Sequence, residues 1–147
     1  MKLSTRSRYG LRLMFELALS YGSRAIQLQD IAEKQELSEK YLSKLIISLR
    51  AAKLIGSVRG AHGGYVLKRD PDKINLKEIV IALEGGLAIV DCTENSSECP
   101  RSKRCATRDI WCGLNKVISD YLEGIRLSDI VEKYRADYKN SDGMYFI

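Results

Sequence analysis

Four cysteines lie between positions 92 and 112, spaced Cys92-x6-Cys99-x5-Cys105-x6-Cys112, with Pro100, Gly113 and many charged side chains among and beside them. Disulfides are rare in the reducing cytosol, so clustered thiols in a chain that shows no export signal point to metal or redox chemistry. Soft thiolates suit iron-sulfur clusters and zinc, and a cluster usually takes four protein ligands, typically cysteine. A structural zinc site would show a close C-x2-4-C knuckle; its absence puts zinc behind a cluster. Cys92 and Cys99 are expected in a loop, Cys105 near a helix start and Cys112 two turns further up. That separates Cys105 from Cys112 by about 10 Å along the axis, so both reach one cluster only if the first turn is loose. Cys112 has a second reading, as a small buried hydrophobe beside Trp111 at a helix interface. Reversible disulfide switching is a further use of the same thiols.

The other residues suited to recognition are basic and lie in the front half. Residues 1–69 hold 13 Lys and Arg against 5 Asp and Glu, a net of +8, whereas residues 70–147 hold 11 against 14, a net of −3. An excess of this kind suits a polyanion, although charge alone does not select nucleic acid. The pattern of elements does more. Ser38 can cap a helix with Leu42, Leu45, Ile46 and Leu49 in one buried stripe and Glu39, Lys40, Ser43, Lys44 and Arg50 outward. A shorter helical pattern through Ile31 and Ala32 precedes it, with the break at Leu37 and Ser38. Two short apolar runs, 54–58 and 65–67, then flank Arg59-Gly60-Ala61-His62-Gly63-Gly64, the mark of a hairpin with a glycine-rich tip. Helix, turn, helix and hairpin make a winged helix. Lys40, Ser43 and Lys44 are expected at or near base edges, Tyr41 and Arg50 on the sugar-phosphate backbone, and Ser38 at the helix start is a further expected DNA contact. At the tip, Arg59 with Gly60 suits a minor groove, and His62 suits the same place rather than a metal.

The remaining segments must position these two groups. Ser4 should cap a first amphipathic helix carrying Leu13, Met14, Leu17, Ala18 and Tyr21 on its apolar side. Leu76, Ile79, Val80 and Leu83 mark another helix, stopped by Gly85 and Gly86. A long helix from about Cys105 to Glu123 bears a broad apolar face that needs a partner, and a last short helix is expected over Leu127 to Tyr134. The tail to Ile147 is expected to order when Tyr145 and Phe146 are held. The expected fold is mainly α with a small β-hairpin wing. It divides into a winged helix-turn-helix DNA-binding domain over 1–84 and a region over 85–147 with cysteine loop, dimerisation helix and tail. With 147 residues, 45% of them apolar and 29% charged, the chain can bury a core, and no apolar run approaches a membrane span. A cytoplasmic location is expected.

The start MKLSTRSRYGLRLM, the helix LSEKYLSKLI, the wing SVRGAHGGYVL and the cysteines at 92, 99 and 105 ahead of a Trp111-bearing helix resemble a known family over nearly the whole chain. It is the winged-helix regulator family of the iron-sulfur cluster regulator (IscR), the nitric-oxide-sensing repressor and the cysteine-metabolism repressor (CymR). The resemblance implies a homodimer built on the long C-terminal helix, a two-fold-related double-stranded DNA operator, and cluster occupancy that alters which sites are bound. It implies a [2Fe-2S] cluster ahead of [4Fe-4S]. The cluster-binding relatives carry a histidine three residues after the third cysteine, where this chain has Arg108. A guanidinium stays protonated and is a poor ligand, so the fourth ligand is open among Cys112, Asp109, Glu98, a partner-chain residue and an exogenous molecule. The nitric-oxide-sensing branch takes an aspartate from the first helix, and Arg6-Ser7-Arg8 offers none. The ending MYFI is similar to the cysteine-metabolism branch, which lacks the cysteine triad.

The expected function is therefore a transcription regulator sensing cluster status, redox state or nitric oxide. The alternative is a cluster-free repressor of cysteine and sulfur metabolism, controlled by thiol oxidation or a partner protein; cluster-donor and sulfur-metabolism proteins are the partners each reading calls for. An electron carrier, an enzyme and a structural zinc interaction module are the readings from other classes. The enzyme reading lacks support, since there is no phosphate loop, nucleophile elbow or paired-carboxylate motif.

Overall fold

Ser4 opens the first helix as a cap residue should: its hydroxyl accepts from the backbone N–H of Arg6 at 3.1 Å. The computed structural model describes residues 3–142, with the side chains of Glu98 and of 140–142 outside that description. Helix α1 (Thr5–Leu19) buries Leu13, Met14, Leu17 and Ala18, while Arg6, Arg8 and Arg12 stay exposed. Tyr21 departs from its expected place and is 46% exposed, because α1 ends at Leu19 and the chain turns before reaching it. The turn runs through Gly22, whose φ of 78° suits a residue without a Cβ.

Helix α2 (Leu28–Gln35) ends at Glu36 in the left-handed region, and two residues later the extended Ser38 caps α3 (Glu39–Ala51) by accepting from the Tyr41 N–H at 3.3 Å. The expected stripe of Leu42, Leu45, Ile46 and Leu49 is buried. Strands β1 (Ile55–Val58) and β2 (Gly64–Leu67) pair antiparallel, Ile55 opposite Leu67 and Val58 opposite Gly64. The segment before α2 adds a bridge to this hairpin: Ile26 and Tyr65 exchange backbone hydrogen bonds of 3.0 and 2.8 Å. Gly64 is required there, since a Cβ would strike the Ile26 backbone.

Helix α4 (Leu76–Glu84) begins with a reciprocal capping box between Asn75 and Glu78 and ends at Gly85 with φ 88°. It lies across α1 at Gly10, where a Cβ would overlap the buried Leu83 side chain. Three short 3-10 turns, Asp91–Thr93, Ser96–Glu98 and Ser102–Arg104, carry the cysteine segment to α5 (Arg108–Glu123). The helix thus starts three residues later than the sequence predicts, because Cys105 is extended at φ −85° and ψ 106°. No α5 residue is buried: Ile110, Val117 and Tyr121 are 64–69% exposed.

Helix α6 (Leu127–Asp142) is about twice the expected length. Nothing between Tyr134 and Gly143 breaks a helix, and Tyr134 stacks on Tyr138 one turn on, with centroids 6.2 Å apart. Leu127 and Val131 return to the core formed by α1, α3 and α4. The expectations for Tyr145 and Phe146 lie outside the described residues.

Candidate DNA interface and cysteine loop

The candidate recognition surface is built on α3. Its cap and turn fix where the helix starts, its buried stripe fixes its rotation, and Lys40, Ser43, Lys44 and Arg50 are consequently exposed on the outer side. Ser38 is engaged as the cap, and Ser43 donates its hydroxyl to the Lys40 carbonyl at 2.7 Å. Ser38 therefore shapes the start of the helix, while its helix-facing lone pair is committed. Arg59, Gly60 and His62 are exposed at the wing tip. Gly60 has φ 110°, and a Cβ on Gly63 would strike the Val58 carbonyl, so the tip turns as tightly as its glycines allow.

Helix α1 takes a larger part here than spacing alone indicates. Thr5 and Tyr41 share a hydroxyl hydrogen bond of 3.1 Å, Tyr9 meets the Tyr41 ring edge-on at 5.8 Å, and Arg6 donates to Ser48 at 3.3 Å. Arg8 and Arg12 sit against the Tyr9 ring. A cationic edge of α1 thus lies beside the outer face of α3; the arginines at 6, 8 and 12 were its sequence signal. At the other end of α1, the buried Glu16 accepts from Gln35 at 2.5 Å, and Gln35 accepts from Arg12 at 2.7 Å. This network joins α1 to the end of α2 just before the turn.

The four cysteines are free and half-buried. Loop and helix are tied at two points: Arg108 Nε donates to the Cys92 carbonyl at 3.2 Å, and the Ile89 N–H donates to Asn115 Oδ1 at 3.1 Å. Glu94 accepts from the Leu87 N–H at 3.2 Å and lies so near Gly86 that a side chain there would displace it. The Thr107 hydroxyl, 3.3 Å from Cys105 Sγ, together with backbone N–H groups and Arg101, holds this thiol below its ordinary pKa. Asp109 is exposed in the first turn of α5 and Cys112 half-buried one turn on, while the Glu98 side chain lies outside the described residues. The donor chemistry fits a cluster: soft, unpaired thiols, one of them biased toward thiolate. Among the described residues no three Cys, His, Asp or Glu side chains converge as a metal site. A cluster on these thiols would require the loop to draw together.

A helix-turn-helix with a cationic outer face, continued by a glycine-tipped hairpin that carries an arginine, defines a winged-helix DNA-binding regulator. The chain belongs to the Rrf2 family, described as iron-dependent transcriptional regulators, whose model matches residues 3–133. It is 40% identical over 141 residues to Protein rrf2 of Nitratidesulfovibrio vulgaris, covering 96% of this chain and 94% of that one. Its structure is similar to that of CymR, the global cysteine regulator of B. subtilis, with TM-score 0.75 and 37% identity over 90% of this chain and 98% of that one. It is equally similar to T. potens IscR, with TM-score 0.75 and 38% identity over 91% and 88% of the two chains. These relatives are regulators rather than enzymes. Among the described residues no helix is long and apolar enough to cross a membrane.

Proposed function

We propose that the protein reads a two-fold-related DNA operator as a homodimer, and that an iron-sulfur cluster held by Cys92, Cys99 and Cys105 sets which operators it binds. Residues 1–84 do the reading; residues 85–147 sense and pair. The observation that carries this is the cysteine loop running into α5, tied to it by Arg108 and Asn115, when α5 turns an entire apolar face outward. A ligand that gathers the loop acts directly on the helix that pairs the two copies. Cys112 is the in-chain choice for a fourth ligand, with Asp109 and Glu98 as its alternatives. The bound cluster would supply a redox- and nitric-oxide-labile cofactor whose occupancy stabilises one form of the loop. A [2Fe-2S] cluster ranks above [4Fe-4S], and zinc below both.

The test is anaerobic purification with iron, sulfide and zinc counted per chain and a visible spectrum recorded. Iron and sulfide in equal amounts, lost in Cys92→Ala, Cys99→Ala and Cys105→Ala, is the expected result. A colourless, iron-free protein that binds DNA normally overturns it. That outcome favours the second reading, a cluster-free repressor of cysteine and sulfur metabolism governed by thiol oxidation or a partner protein. Its support is the likeness to CymR, the global cysteine regulator of B. subtilis.

A further inference from the structure

Ile47 is 69% exposed at the middle of α3. At 3.6 residues per turn it falls on the same outward line as Lys40 and Lys44, opposite Leu42, Leu45 and Leu49, which are at most 2% exposed. It is thus an apolar group at the crest of the face that reads DNA, well away from the core. Cations surround it: Lys40 and Lys44 toward the helix start, Arg50 on its own helix, and Lys68, which lines the hollow between α3 and β1 together with Ile47 and Arg50. Arg6 reaches Ser48, next to it in the chain.

An isolated exposed isoleucine is unremarkable by itself. Here the ring of cations restricts what can cover it. Phosphates match cations on both sides of an apolar spot when a groove lies between them, and the floor of the major groove offers one apolar group, the C5-methyl of thymine. We infer that Ile47 is a specificity-determining residue that packs on a thymine methyl, so that each half-site demands a T·A pair at one position in one orientation. The lysines before it and Arg50 after it hold phosphates and hydrogen-bonding base edges on either side. This inference rests on the DNA reading proposed above and fixes part of what that reading recognises.

The experiment begins with selection of bound duplexes from a random pool by the full-length protein. Each thymine of the selected half-site is then replaced singly by deoxyuridine, which removes only the methyl, and binding is measured for the wild type and Ile47→Ser. At one position uracil weakens wild-type binding about fourfold, the equivalent of about 0.8 kcal/mol for one buried carbon. Ile47→Ser binds the thymine and uracil duplexes alike and selects a pool without that T·A requirement. Because the side chain is exposed, the variant should melt with the wild type, which separates lost recognition from lost folding. Equal wild-type binding to every uracil duplex, or retention of the fourfold preference by Ile47→Ser, overturns the inference and leaves the DNA reading standing. Failure to select any duplex overturns both.

Discussion

Two side-chain clusters carry the chemistry most open to direct test. The hydroxyl of Thr107 beside Cys105 biases that thiol toward thiolate, the form that binds metals and attacks electrophiles. In the metal-free protein Cys105 should therefore alkylate fastest of the four below pH 8, and Thr107→Val should slow it there and move its rate profile to higher pH; mass spectrometry of timed iodoacetamide reactions reads both. The second cluster fastens α1 to α4. Burial alone would raise the pKa of Glu84, but hydrogen bonds from the side chains and backbones of Ser4 and Ser7 outweigh it and lower the value. A carboxyl depressed on folding contributes stability above its unfolded pKa, and that contribution fades as pH falls through the folded value. Ser7→Ala should thus lower the melting temperature most at neutral pH, and the gap to the wild type should close as the solution is acidified toward pH 3.

The helices and the wing act as units, and each has its own signature in binding or assembly. Arg59 at the wing tip and Lys40 on α3 are both exposed, as the proposed DNA reading requires. Arg59→Ala should weaken binding to all duplexes and reduce the slope of log affinity against log salt by about one ionic contact, as measured by titration at several salt concentrations. Helix α5 exposes Ile110, Leu114, Val117 and Tyr121 together, which water tolerates poorly unless another copy covers them. The wild type should sediment at twice the 16.6 kDa chain mass, and Val117→Glu as a monomer with the same far-ultraviolet spectrum. Gly10 belongs to the packing between α1 and α4; Gly10→Val should destabilise by about 1–3 kcal/mol in a denaturant melt, because the added side chain overlaps Leu83, which is itself buried in the core.

On the proposed reading the whole protein couples a reading unit to a sensing loop, and the sequence reveals these two parts unequally. Caps and turns are local, so Ser4, Ser38 and Gly85 mark true helix boundaries, and the α3 stripe is legible in its spacing. Helix α6 runs further than the sequence indicates because residues 135–142 are mostly polar, with Ala136 and Tyr138 too few to set an apolar period, although nothing in them breaks a helix. The late start of α5 depends on the 3-10 turns before it, and the Arg108 link to Cys92 spans 16 residues that no spacing rule connects. The α1 edge beside Tyr41 was equally hidden, as it joins groups 36 residues apart. The coupling itself is tested most directly by measuring affinity for a panel of selected duplexes with one anaerobic preparation before and after its cluster is removed. On the present account at least one duplex changes by about tenfold, within the usual range of coupling between sites, and Cys92→Ala behaves as the stripped protein. Identical affinities across the panel for the loaded and stripped forms would contradict it.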